Sequence, residues 1–268
     1  MKKVMFLLAC FGFAFGASLA EIRQSGVVRI AFYDSIPPFS QHTADGSLEG
    51  FEIKMAKKIA DDLFEGKEHR IDFVAIKSSD RIPWLQEDKI DFVLANFTAT
   101  DERRKFIDFT MPYFSINFGV LTRKGDKIMT QADLSGKKIL VEKDSTGAAY
   151  FEKKGYDVEY CEKILDCYNM LKEGVGDAFG HDNVVVMSYP VIDHSVEVNI
   201  KNLGTTDFLA IGVRKDNPEM LSFLNQEMIN LAKEGYFKKL FDEDIVPFYK
   251  ESAEKKYFLL EDLYRTFF

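Results

Sequence analysis

The sequence predicts an α/β protein of two lobes joined by a two-strand hinge. Three observations carry this. Residues 27–95 alternate strand-like and helical patterns as βαβαβ, the order of an open sheet with parallel strands. Residues 138–189 repeat that alternation with strands and helices of their own. Two further strand-like runs, 118–123 and 208–214, leave the first unit and return to it. Lobe 1 is accordingly predicted over 21–114 and again over 208–268, and lobe 2 over 115–207. The crossings fall near residues 115 and 208.

The elements follow in order. Residues 1–20 read as a signal peptide: Lys2 and Lys3 give a charged start, 4–17 an apolar stretch, and Ser18-Leu19-Ala20 a small-x-small cleavage site before Glu21. The stretch is too short to span a bilayer stably. Residues 7–10 imitate a lipoprotein box at Cys10, but hardly any apolar run precedes it, so cleavage after Ala20 is the expectation. Residues 27–32 then read as a strand, 51–64 as an amphipathic helix, 71–76 as a strand, 79–86 as a short helix and 90–95 as a strand. In the second unit 138–141, 158–161 and 178–181 are strands, and 147–154, 167–173 and 183–189 are helices. Residues 218–234 form a strong late helix.

Composition narrows the function classes. The 268 residues carry a net charge of −8, and loss of residues 1–20 would leave 248 residues at −10. An acidic surface without a basic cluster argues against nucleic acid as partner. No later segment has 18 unbroken apolar residues. The four histidines are scattered and no Cys/His spacing resembles a zinc site, so no metal or cofactor is expected.

The chemistry gathers where the strand at 90–95 breaks into a polar turn. Thr100 suits an N-cap, and Asp101 and Glu102 suit the positive end of a helix. Thr98 adds a hydroxyl, and Arg103 a planar two-pronged donor that matches a carboxylate. The same residues also suit a capped surface helix with an exposed arginine. Around them stand 46–60 (GSLEGFEIKMAKKIA), 81–86 (RIPWLQ) and 107–114 (IDFTMPYF).

In this order and spacing, residues 27–245 closely resemble the family 3 solute-binding proteins, the periplasmic amino-acid receptors of bacterial ABC importers. The resemblance implies a type II periplasmic binding protein fold, hinge closure around one amino acid, and delivery to a membrane permease by a monomer in the periplasm. It implies that Arg103 and Thr98 grip the α-carboxylate, with Asn96 beside them. In lobe 2 it adds Ser145 and Thr146, which alone read as helix caps, and gives Asp182 the α-ammonium. Ser78 stands where many relatives place an aromatic. Arg81 lies in a stretch that resembles aspartate- and glutamate-binding members, where the arginine pairs with the ligand's second carboxylate; a solvated arginine beside Asp80 or Glu87 is the alternative. Tyr33 offers only a hydroxyl where some acidic-ligand binders carry a cation, which keeps glutamine and asparagine open. His181 reads as a neighbour of the site, and Trp84 as a residue of the cleft edge. Cys161 and Cys167, six apart, would form a disulfide in the oxidising periplasm or stay as two thiols.

The leading expectation is therefore a non-catalytic receptor for glutamate or aspartate. An enzyme resembling the cyclohexadienyl dehydratases, and a ligand-sensing partner of a membrane receptor, are the other classes. Residues 245–268 extend beyond the usual end of the family, and are expected to form an amphipathic helix docked on lobe 1.

Overall fold

The structure, a computed structural model, describes residues 16–250. Two mixed five-stranded sheets form two lobes. The first has the order β4-β1-β5-β12-β6, with β1 Val27–Tyr33, β4 Arg70–Ile76, β5 Phe92–Val93, β6 Ile107–Phe109 and β12 Gly212–Arg214. The second has the order β11-β7-β10-β8-β9, with β7 Phe114–Arg123, β8 Lys138–Glu142, β9 Asp157–Cys161, β10 Ala178–Asp182 and β11 Val196–Leu209. A two-stranded ribbon, β2 Gln41–His42 and β3 Leu48–Glu49, precedes helix α2 Phe51–Leu63.

Sequence pattern explains these layers. β1, β4 and β5 pair in parallel and β1 is buried on both faces, which its apolar run permits. In β8 the side chains alternate between two cores: Ile139 and Val141 pack on one face and Leu140 on the other. Helix α2 Phe51–Leu63 buries Met55, Ala56, Ile59, Ala60 and Leu63 along one stripe. It starts at Gly50, whose φ of 118° and close approach to the Phe39 carbonyl leave no room for a Cβ. In lobe 2, a Cβ at Gly180 on β10 would overlap the Phe151 ring of α5 Thr146–Lys153. That glycine lets α5 lie close on the sheet and so fixes the turn before it.

β7 and β11 pair antiparallel, and their ends at Phe114–Ile116 and Asp207–Leu209 lie side by side. There Ala99 donates to the Phe208 carbonyl and Ala210 to that of Phe97, tying the crossing to lobe 1.

The structure redraws several elements. The strand expected at 208–214 is the end of β11 and the whole of β12, parted at Ala210 and Ile211 where the chain changes sheets. Most of β11 escapes a pattern search because 201–207 is polar and largely exposed, and its register against β7 shifts three times. The helix expected over 183–189 is two short ones, α7 Asn183–Val186 and α8 Tyr189–Ile192, because Pro190 cannot continue the first. The expected strand at 90–95 keeps two residues in its ladder.

At the N-terminus, α1 Leu19–Ser25 is capped by Ser18 in a capping box with Glu21, so the expected cleavage point falls within its first turn. Residues 1–15, most of the expected signal peptide, lie outside the described residues, as do 251–268 of the C-terminal extension. After α9 Pro218–Lys233 and α10 Tyr236–Leu240, the chain passes Lys54, which holds Asp244 at 2.7 Å. The last described helix is α11 Val246–Tyr249, where the Tyr249 hydroxyl donates to Val184 O of lobe 2. Most of the helix expected to dock on lobe 1 falls outside the described residues; of its start, Tyr249 reaches lobe 2. No helix among the described residues is long and apolar enough to cross a membrane.

Candidate functional site

Parallel strands of both lobes end at one cleft. β1 delivers Tyr33, the turn after β4 delivers Ser78 and Arg81, and the segment after β5 delivers Asn96, Thr98 and Arg103. From lobe 2, β8 delivers Glu142 and the Asp144–Thr146 turn, and β10 delivers His181 and Asp182. This is where open α/β sheets hold ligands. A cavity of about 1020 Å³ opens here, lined among others by Ser78, Arg103, Ser145, Thr146 and Asp207. Tyr33, Arg81, Asn96, Thr98 and Asp182 lie deeper, all buried.

Lobe 1 supplies two cations. Arg81 lies on α3 Arg81–Gln86, its guanidinium 4.8 Å from the Phe97 ring centre and 5.9 Å from that of Tyr33. It donates to Ser78 Oγ and to the Asn96 carbonyl, at 3.3 Å for the latter, and its Nε has no partner. Arg103 lies 4.9 Å from the Phe97 ring centre and donates to Thr98 O at 2.8 Å. Burial, reinforced by repulsion from Arg81, pulls its guanidinium down to about 9. The charge of this half-buried cation is favoured by any anion that joins it. Its helix, α4 Asp101–Arg104, is capped by Thr100 as expected but makes a single turn. Such a turn carries little macrodipole, so anion attraction here falls to the Arg103 side chain.

Lobe 2 supplies carboxylates. Asp182 is 2% exposed, accepts from Asn96 Nδ2 at 2.8 Å, and leaves Oδ1 without a partner. Burial raises its pKa. Glu142, fully buried, accepts from the Tyr33 hydroxyl, from Ser78 Oγ at 2.8 Å and from His181 Nε2 at 3.2 Å. His181 Nδ1 accepts the Asp182 backbone N–H at 2.8 Å, which puts the ring proton on Nε2. Burial opposes the charge of Glu142, but the His181 hydrogen bond, Arg81 and Tyr33 outweigh it and hold the carboxyl below its ordinary value. Ser145 caps α5 by accepting from Ala148 N, and Thr146 Oγ1 stands 3.5 Å from Thr98 Oγ1 across the cleft. Arg103 reaches across to the Asp144 carbonyl at 3.1 Å.

The cleft therefore assembles all nine expected residues, Tyr33, Ser78, Arg81, Asn96, Thr98, Arg103, Ser145, Thr146 and Asp182. Arg81 is buried, not the solvated arginine beside Asp80 or Glu87 that the sequence left open, and Ser78 Oγ links it to Glu142. Trp84 is not at the cleft edge; it packs half-buried on lobe 1 beneath Lys89, while Ile82 and Pro83 line the cavity. Sequence reasoning missed Glu142 and Glu52. Glu142 was signalled only as a charge closing the apolar run Ile139-Leu140-Val141. Glu52 sits on the apolar face of α2, in line with Ala56 and Ile59, and accepts from Asn96 N at 2.8 Å and from the Tyr113 hydroxyl. That bond holds Asn96 at a φ of 47°, aiming its amide across the cleft. Behind Glu142, its register partner Cys161 is bonded to Cys167, with Cα atoms 5.3 Å apart. No group of three metal-ligating side chains occurs among the described residues.

Two α/β lobes with a cross-lobe cleft, cationic on one wall and anionic on the other, define a ligand-capturing protein of the type II periplasmic binding fold. The chain belongs to the bacterial extracellular solute-binding proteins, family 3, matched over residues 28–243. It is similar to the solute receptor for L-cysteine of Neisseria gonorrhoeae, at 32% identity and a TM-score of 0.86, covering 91% of this chain and 99% of that one. It is similar to the cysteine-binding protein of Campylobacter jejuni, at 31% identity and a TM-score of 0.85, covering 90% and 98%. The ABC transporter glutamine-binding protein of Bacillus subtilis is 30% identical over 205 residues, covering 75% of this chain and 74% of the relative.

Proposed function

We propose that this chain is a periplasmic receptor that closes around one small, neutral amino acid, with L-cysteine the first candidate, and delivers it to an ABC importer. The observation that carries the reading is the opposition of Arg103 and Asp182 across one cleft. Arg103 with Thr98 suits an α-carboxylate. Asp182, with one oxygen buried and unpartnered, suits an α-ammonium. Ser145 and Thr146 complete the carboxylate side.

Charge balance favours a neutral side chain. Once a zwitterion has matched Arg103 and Asp182, Arg81 and Glu142 remain as one cation and one anion joined through Ser78. A ligand with a second carboxylate would meet Glu142, and a buried unpaired charge is costly. The expectation of glutamate or aspartate is therefore not the one this geometry favours. The two cysteine receptors support the same choice, since their names match a small neutral ligand. The relatives named above are binding proteins, which supports a receptor over a dehydratase.

The test is a thermal-shift and calorimetric panel of the twenty amino acids on refolded, ligand-stripped protein. A ligand at 100 times its dissociation constant stabilises by about 2.7 kcal/mol. L-Cysteine or another small neutral amino acid should give the largest shift. A largest shift with glutamate, aspartate, arginine or lysine would overturn the neutral-ligand reading, and no shift with any amino acid would overturn the receptor reading.

A further inference from the structure

We infer that Glu142 is a resident carboxylate that occupies the place of a ligand's second carboxylate, and is the residue by which this cleft rejects acidic amino acids. The inference rests on the neutral-ligand reading above and deepens it by assigning the rejection to one side chain.

The geometry is specific. Glu142 ends β8 on lobe 2, yet most of its hydrogen bonds come from lobe 1. Its Oε1 accepts from the Tyr33 hydroxyl and, at 3.4 Å, from Ser78 N; its Oε2 accepts from Ser78 Oγ at 2.8 Å. His181 fixes it from its own lobe. Ser78 Oγ donates its hydrogen bond to Glu142 and accepts one from Arg81 Nη2, so the serine links the carboxylate to the guanidinium. The donors that Glu142 uses are those a side-chain carboxylate of a bound acidic amino acid would need. With Glu142 present, such a ligand finds the donors taken and a like charge beside it, which disfavours it strongly. Without Glu142, Tyr33, Ser78 and Arg81 form an unmatched anion site of the kind the sequence around Arg81 suggests.

Specificity for neutral or acidic amino acids would then turn on a single lobe 2 residue, with the lobe 1 wall unchanged. Glu142→Ala removes both charge and volume; Glu142→Gln removes the charge and keeps the shape. The experiment is calorimetry of L-cysteine, L-serine, L-aspartate and L-glutamate with the full chain and both variants, with melting temperatures to confirm folding. In Glu142→Ala the affinity for aspartate or glutamate should rise at least about tenfold relative to that for cysteine and serine. Glu142→Gln should shift the ratio the same way by less, and it decides the matter should the alanine variant not fold. A folded variant whose acidic-to-neutral affinity ratio stays within twofold of the parent overturns the inference and leaves the neutral-ligand reading standing. A parent protein that itself binds glutamate or aspartate most tightly overturns both.

Discussion

Lobe 1 brings Arg81 and Arg103 to the cleft, and lobe 2 brings Glu142 and Asp182. Each wall alone would bury like charges side by side, and the strain is visible in Arg103, drawn down by burial and Arg81 together. The walls meet through Tyr33–Glu142, Ser78–Glu142, Asn96–Asp182 and Thr98–Thr146. On the rim Lys77 holds Glu162 at 2.6 Å. Neither lobe carries the site; it exists where both contribute. That arrangement suits a hinged receptor, because a ligand carrying both charges completes what each lobe lacks only when the lobes are together.

Removing the lobe 1 anchor should break this complementarity most severely. Arg103→Ala should weaken amino-acid binding by about 2–5 kcal/mol, read by calorimetry, with the melting temperature of the ligand-stripped protein nearly unchanged. Affinity within threefold of the parent would take Arg103 out of the site.

The next effect separates the walls by pH. Glu52, behind the lobe 1 wall, has its carboxyl pushed up to about 7 by burial, from an ordinary value of 4.5. An acid whose folded-state pKa is raised contributes stability that is full below the unfolded value and is lost as pH rises through the folded one. Relative to Glu52→Gln, the parent should therefore lose on the order of 3 kcal/mol of stability between pH 4.5 and pH 8. Glu227 is also raised to about 7, by burial and Asp62, but it is common to both proteins and cancels in the difference. Parallel denaturation curves across that range would show that Glu52 ionises normally.

On the lobe 2 side, reducing the Cys161–Cys167 bond should cost about 2 kcal/mol of stability, as expected for a short loop. It should loosen the strand beside Glu142 without touching Arg103. Calorimetry after mild reduction should show a larger loss of discrimination against acidic amino acids than of cysteine affinity, and equal losses would show that the bond supports the whole cleft. The smallest effect belongs to Trp84, which lies against the lobe 1 core beside Lys89. Its fluorescence should change little on ligand binding, and a large spectral shift would place it nearer the moving seam than the structure does.

The site residues also differed in how far the sequence disclosed them. Arg81, Thr98 and Arg103 lie in polar turns after strands, where a charged or hydroxyl side chain stands out from its surroundings. Glu142 closes an apolar strand and Glu52 rides the apolar face of a helix, where periodicity reads a charge as a boundary or an exception. Their roles depend on partners 64 and 44 residues away, which no local pattern reveals. The α/β alternation was plain because buried strands and amphipathic helices write their periods directly. β11 was hidden because an irregular, half-exposed edge strand has no clean period.

The most direct measurement takes a ligand apart at its two ends. Ligand-stripped protein is titrated by calorimetry with L-cysteine, with cysteamine, which lacks the carboxylate, and with N-acetyl-L-cysteine, which lacks the ammonium. If Arg103 and Asp182 hold the two ends from opposite lobes, L-cysteine binds and each analogue loses at least about 2 kcal/mol relative to it. Either analogue binding within threefold of L-cysteine would contradict the account.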